Sequence, residues 1–400
     1  MKVKFLSTTK IPKFLTFLTL FIFNTSVFSQ DTYVPDDVFE AYLEAGGRGD
    51  GIDNNNNVLT ANVETITVLN LISFGITDFT GIEDFAALQV LNCYNNGTTI
   101  LDVSNNTALV ELKCAFNSLT TLDVSQNTAL TYLDCQANQL TSLDVSKNTL
   151  LTYLNFPGNQ LTNINLNQNT DLEYLICGYN LLETLDVSQN LSLIEMACNN
   201  NNLTALDVTG NANLNRLFTR YNQISNLNFN SDLEYLDVRI NQLTELDVSQ
   251  NTAMYYVKCE TNLLENLNVK NGNNTNFTQF TASSNPNLTC ITVDDVAYST
   301  TNWTIIDSGV SFSTDCSTFS TDEFNLNSIS IYPNPSKDIF EIDLNKNANY
   351  KLFNIQGQEV LRGSFIQGLN NLNTRSLSSG IYVLNLESDI GIVSKKLVKN

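Results

Sequence analysis

The sequence predicts a right-handed parallel β solenoid with few helices, followed by a small all-β sandwich. Three observations carry that reading. Anchor residues recur at a spacing of 21 (Leu101, Leu122, Leu143, Ile164, Leu185, Leu206, Leu227), then Leu246 follows after 19 and Leu267 after 21. A fixed period of this length means stacked units that lean on their neighbours. Within each copy, apolar residues alternate (Leu112 and Cys114, Leu133 and Cys135), as in a strand with one face buried. Asn117, Asn138, Asn159, Asn180, Asn201, Asn222, Asn241 and Asn262 hold one register, where each can satisfy backbone groups of an adjacent coil. From about residue 328 the long period disappears. Stretches such as ISIYPNPSKDIFEIDL and SSGIYVLNLES alternate apolar and polar residues between Pro and Gly turns, which predicts the sandwich.

Charge and composition narrow the function. The formal net charge is −21, and residues 1–29 hold four lysines and no acid, so the chain from residue 30 carries 16 − 41 = −25. Such a surface repels phosphate backbones, which argues against a nucleic-acid partner. The chain has no histidine. That removes the usual general base, histidine-based nucleophile triads and histidine zinc ligands. No cofactor or phosphate-loop motif is present.

In chain order, residues 1–29 read as a secretory signal peptide. Lys2, Lys4, Lys10 and Lys13 precede an apolar core at 14–28, and small residues at Val27 and Ser29 place cleavage before Gln30. The core is short for a membrane span, so the processed chain is expected to lack one. Residues 30–65 form the N-terminal cap. Within it 35–45 predicts a helix, with Asp37 and Glu40 as a capping box, Val38/Tyr42 and Phe39/Leu43 as i,i+4 pairs, and Gly46-Gly47 as the stop. The helix is expected to cover the open end of the first coil. Residues 50–57 (GIDNNNN after Asp50) offer oxygen ligands for calcium but lack spaced acids and a closing Glu, so a plain polar loop is the simpler reading. The repeats run over 66–289. A C-terminal cap at 290–316 closes the core with Val296, Trp303 and Phe312, a polar linker spans 317–327, and 328–400 is the sandwich.

The repeat L-x-x-L-x-(L/C)-x-x-N-x-L, about ten times over, resembles the leucine-rich repeat. With YVPDDVFEAYL in front and NPNLTCITVDDVAYSTTNW behind, the array resembles a secreted bacterial leucine-rich repeat family that uses LDVSxNTxLxxLxCxxN coils. The last segment resembles the C-terminal sorting domain of type IX secretion cargo. The matching pieces are Tyr332-Pro333-Asn334-Pro335, Leu352-Phe353-Asn354, Gly357, Gly380-Ile381-Tyr382 and Lys395-Lys396-Leu397-Val398-Lys399. That resemblance implies Sec export, engagement of the type IX secretion machinery, and a secreted or outer-membrane-attached product with the tail usually removed.

Cys93, Cys114, Cys135, Cys177, Cys198 and Cys259 share a position filled elsewhere by Phe156, Thr219 and Val238, so they read as buried free thiols in a core column. Adjacent ones would sit about 4.8 Å apart, wider than the roughly 3.8 Å Cβ separation of a disulfide. Cys290 and Cys316 lie outside the register and are the expected disulfide in a secreted chain. No metal site is expected. The LDVS aspartates (Asp102, Asp123, Asp144, Asp186, Asp207, Asp247) point outward, where a solvated or turn-capping role competes with divalent-cation binding.

Function is expected on the concave face, where a protein or glycan ligand would bind. Its outward positions give a strip of Tyr132, Tyr153 and Tyr174, and a cluster of Arg216, Phe218, Arg220, Tyr221, Tyr235, Arg239 and Tyr256. Tyr and Arg are enriched at binding hot spots. The bland alternative is strand-favouring tyrosine and arginines paired with Glu195, Asp237 or Glu260. An inert surface coat is the competing class. A glycan-active enzyme would need paired carboxylates among Glu111, Asp134, Asp237 and Glu260, but Lys113 and Lys258 stand ready to neutralise Asp134 and Asp237.

Overall fold

A computed structural model describes residues 30–316, 329–344, 346–388 and 391–400. The expected signal peptide and the linker at 317–327 lie outside the described residues. Eleven three-residue strands, from Val68–Asn70 to Gln279–Thr281, pair in parallel and in chain order to form one long sheet. Each strand is short because one outward–inward–outward triplet is all a coil contributes before it must turn. Leu112, Leu133, Leu154, Leu175, Leu217 and Leu236 point inward at the centre of their strands and are fully buried. On the opposite wall the coils pair only in part, as Ala205–Val208 with Asn226–Phe229, and as Glu245–Asp247, Asn266–Asn268, Cys290–Thr292 and Ser311–Ser313. Coils held at strand spacing on one wall and left looser on the other bend towards the tighter wall, which makes the long sheet the concave side.

Between the walls, side-chain amides replace the missing backbone partners. Asn138 Nδ2 donates to the Cys114 and Cys135 carbonyls at 3.0 and 3.1 Å, and its Oδ1 accepts from Leu119 N at 3.0 Å. So the first asparagine register reaches back to the preceding coil. A second register, unrecognised in the sequence reading, is the asparagine of LDVSxN. Asn127, Asn148, Asn169 and Asn190 each donate Nδ2 to two carbonyls of the coil before, as Asn148 does to Val124 and Asn127 at 2.9 Å each. The recurring N in that motif was the available signal.

The caps follow from the ends of the core. Helix Asp37–Ala45 buries Phe39 and Leu43, and the Phe39 ring lies 5.7 Å from Phe79 and 6.0 Å from Phe85. Its cap differs from the predicted capping box. Asp36 accepts from Val38 N and Phe39 N at 3.1 Å, while Glu40 is buried and holds Asn55 N and Asn56 N. The helix starts one residue earlier than the box requires, so Glu40 faces the loop instead of its own N-terminus. Residues 50–57 are organised on these acids: Glu44 accepts from Asp50 N and Gly51 N, and Asp50 accepts from Ile52 N and Asn55 Nδ2. At the far end Trp303 is buried, with its ring 4.2 Å from Phe280, 5.4 Å from Phe277 and 6.0 Å from Phe312. Val296 is exposed instead; Tyr298 occupies that side, edge-on to Trp303 at 6.3 Å. Cys290 and Cys316 form a disulfide across this cap.

The C-terminal segment packs a three-stranded antiparallel sheet (Ser330–Tyr332, Ile339–Leu344, Gly368–Asn373) on a four-stranded one (Glu359–Phe365, Ala348–Asn354, Gly380–Ser388, Gly391–Lys399). Phe340, Ile342, Leu352, Leu384 and Leu397 fill the space between them. Asn334 ties the YPNP turn to the last strand, donating to Lys396 O at 2.8 Å and accepting from Val398 N at 2.9 Å.

Candidate functional site

Register places the predicted residues side by side on the long sheet. The first outward column runs Glu111, Tyr132, Tyr153, Tyr174, Glu195, Arg216, Tyr235, Tyr256 across directly paired strands. Tyr132 and Tyr153 stack at 4.3 Å with planes 2° apart, and Tyr174 lies 6.1 Å from Tyr153. Tyr235 and Tyr256 stack at 3.7 Å, and Phe218 leans on Tyr235 at 4.7 Å. Cations sit over both groups: Lys113 is 5.0 Å from the Tyr132 ring, Lys258 5.2 Å from Tyr256, and Arg216 5.5 and 5.3 Å from Phe218 and Tyr235. Burial, reinforced by the neighbouring ring, pushes the Tyr132 and Tyr235 hydroxyls above their ordinary range. They remain protonated donors at neutral pH.

Two arginines take the acidic partners expected of them, and the lysines do not. Lys113 bridges Glu111 on its own strand, and Arg216 bridges Glu195 across the sheet at 3.1 Å. Arg239 holds the buried Asp237 bidentately, Nε to Oδ1 at 2.8 Å and Nη2 to Oδ2 at 2.6 Å. Those bonds raise the Arg239 guanidinium further above its ordinary range. Asp134 is buried and bonds to Asn155 Nδ2 at 3.0 Å and to Gln136 N at 3.2 Å. Burial raises its carboxyl and these partners only partly offset that. Lys258 therefore does not neutralise Asp237, and Lys113 only faces Asp134 at longer range. Two of the three arginines are committed, and Arg220 is the one without an acidic partner among the described residues, its guanidinium 6.0 Å from the Tyr221 ring.

Tyr221 is not on the sheet. It sits one residue beyond Arg220, where each coil turns through the left-handed region. Phe116, Ala137, Tyr179, Asn200, Tyr221, Ile240 and Thr261 all have φ between 50° and 58° there. Gly158 fills the position in one coil at φ 68°. Phe116, Tyr179 and Tyr221 are exposed. Large side chains seldom adopt this conformation, and nothing in the periodicity marks it. Gly178 serves close approach: a Cβ would lie 2.9 Å from the Asn199 carbonyl, so the residue lets two coils meet.

On the opposite wall the LDVS aspartates cap turns. Asp102, Asp123, Asp144, Asp186 and Asp247 each accept from the serine N–H two residues on, at 2.8–2.9 Å. Side-chain and backbone hydrogen bonds from that serine hold the Asp102, Asp123, Asp144 and Asp186 carboxyls below the usual carboxylate range. The six ladder cysteines are buried and free. Burial pushes the Cys93 and Cys198 thiols up to about 12.

This geometry defines a leucine-rich repeat solenoid with a separate antiparallel β module behind it. Residues 330–400 match the family described as the secretion system C-terminal sorting domain. The domain marks type IX secretion substrates, so the chain is secreted or attached to the outer surface. Among solved structures it is similar to the functional domain of InlJ from Listeria monocytogenes, described as including a cysteine ladder. That match has TM-score 0.59 at 24% identity and covers 93% of this chain and 99% of that one. It is also similar to the internalin InlF of Listeria monocytogenes, at TM-score 0.51 and 20% identity, covering 70% of this chain and 95% of that one. Both likenesses speak to fold. No curated protein matches the chain.

Proposed function

We propose that the chain is an exported recognition protein whose concave sheet binds a protein partner. The observation that carries this reading is the packing of the tyrosines. Tyr132 on Tyr153 and Tyr235 on Tyr256 cover each other's ring faces, so these half-buried side chains present edges where open faces would otherwise stand. Sugars are gripped by stacking on open ring faces; rigid hydroxyl-tipped edges suit the mixed polar and apolar surface of a protein. Charge supports the same choice. Across the three outward columns of the eight coils from 111 to 260, five cations (Lys113, Arg216, Arg220, Arg239, Lys258) meet five anions (Glu111, Asp134, Glu195, Asp237, Glu260). The face is neutral on a chain of net charge −21. Such a balanced patch escapes the repulsion that the rest of the surface imposes on acidic partners. Catalysis has less support: Asp134 and Asp237 are bonded within the sheet and Glu111 is bridged by Lys113.

The test is capture of extracellular and surface proteins by chain 30–400, compared with Arg220→Glu and Tyr153→Ala. A partner held by wild type should bind at least tenfold more weakly to one of them, about 1.4 kcal/mol. Equal binding by both variants would place recognition elsewhere.

A further inference from the structure

The 19-residue coil leaves a notch in the wall opposite the long sheet. Leu214 follows Leu206 at a spacing of eight, but Leu233 follows Leu227 at a spacing of only six, so two turn residues are missing there. The effects are local. Strand Asn226–Phe229 pairs on one side with Ala205–Val208 but not with Glu245–Asp247 on the other, so two strand edges face each other unpaired. Leu227 and Phe229 are half-buried, whereas their counterparts Leu206, Val208, Leu246 and Val248 are buried. Asn228 occupies the ladder position whose side chain caps a turn in neighbouring coils, as Asp207 does to Thr209 N at 3.0 Å and Asp247 to Ser249 N at 2.8 Å. With the turn gone, Asn228 makes no side-chain hydrogen bond among the described residues. A pocket of about 660 Å³ lies there, lined also by Glu245, Gln250 and Asn266, beside one of about 550 Å³ between the preceding full-length coils.

We infer that this notch is a binding site for a neutral oligosaccharide. Phe229, half-buried and packed against the core, lines the pocket at a position where the neighbouring coils keep Val208 and Val248 buried. Asn228 and Asn266 supply planar amides able to donate and accept towards neighbouring hydroxyls, Gln250 adds a carbonyl beside the Nε2 it shares with Ser249 Oγ at 3.3 Å, and Glu245 adds an acceptor pair. No lysine or arginine lines the cavity, and Glu245 and Asp247 repel anions, so uncharged sugars are selected over acidic ones. The site is independent of the concave face.

The test is saturation-transfer NMR on chain 30–400 with neutral trisaccharides of glucose, mannose, galactose and N-acetylglucosamine, a sialylated trisaccharide, and an extended neutral hexapeptide. Transfer is expected to at least one neutral sugar and not to the sialylated one. Inserting Ser-Gln between Phe229 and Asn230 restores the spacing of Val248-Ser249-Gln250-Asn251 and should weaken binding at least tenfold. Should the insertion misfold, Asn228→Ala with Phe229→Val carries the same expectation. Arg220→Glu should leave sugar binding unchanged, which separates this site from the concave one. The inference is overturned if no neutral sugar receives transfer, if binding survives the notch variants, or if only the peptide responds, in which case the free strand edges take up a strand.

Discussion

Tyr179 shows what a single position can carry. Its φ is 52° and more than half of its surface is exposed, so it bears a left-handed backbone with little burial in return. Tyr179→Gly should raise the denaturant midpoint by roughly 1 kcal/mol of stability, the scale of left-handed strain in a non-glycine residue. A lower midpoint would mean that ring contacts outweigh the strain. The arginines divide in the same physical terms. Arg239→Glu leaves Asp237 buried beside a like charge and should cost about 3 kcal/mol, the scale of breaking a buried pair. Arg220→Glu breaks no ion pair and should melt like wild type. Thermal unfolding of the two variants side by side checks both. The sequence offered these arginines as one cluster but could not divide them. Asp237, Glu260 and Glu195 all stood within reach on paper, and only the rotamers assign partners.

At the scale of elements, amide ladders and cap hydrogen bonds hold the coils together. Asn148 uses Nδ2 for two carbonyls, and its buried Oδ1 accepts nothing among the described residues. Asn148→Ala should therefore destabilise by about 1–3 kcal/mol for carbonyls left unpaired. Asn148→Asp should be worse, because it turns two donors into a buried acceptor. Equal denaturation midpoints for the two variants would refute the donor argument. The N-terminal cap depends on Asp36, which also accepts from Thr77 N at 2.9 Å and Asp78 N at 3.2 Å, so one carboxylate joins helix to first coil. Partial burial raises its carboxyl, but the bonds from Thr77, Phe39 and Asp78 more than offset this and the net shift is downward. A depressed folded-state value stabilises above the unfolded value, about 3.9, and that contribution fades as pH falls through the folded one. Protection of the cap amides, taken relative to intrinsic exchange at each pH, should fall below about pH 4 in wild type, and Asp36→Asn should flatten that dependence. The sequence placed the helix but shifted its cap by one residue, since Asp36 and Asp37 are equally good caps until the chain direction is known.

At the scale of the molecule, a core of stacked coils is closed by two caps, and the far one is cross-linked. Replacing Cys290 and Cys316 with serine opens a link of sequence separation 26 and should cost roughly 2–4 kcal/mol, read as a lower melting point. The ladder thiols should stay unreactive towards an alkylating reagent at pH 8 until the coils unfold, since burial keeps Cys93 and Cys198 protonated there. Labelling of any ladder cysteine at a rate independent of denaturant would contradict that.

Sequence alone determined the 21-residue period, the column each residue occupies, and the change to an export module near residue 330. Periodicity is a one-dimensional property, and in a stacked coil it decides which way a side chain points. Tertiary structure alone decided what those side chains meet. Arg239 closed on Asp237, Glu40 turned to the loop, and Val296 gave its place to Tyr298. The left-handed turns at Tyr179 and Tyr221 arise from how each coil must bend to reach the next. That closure couples residues about 20 positions apart, so no local pattern records it.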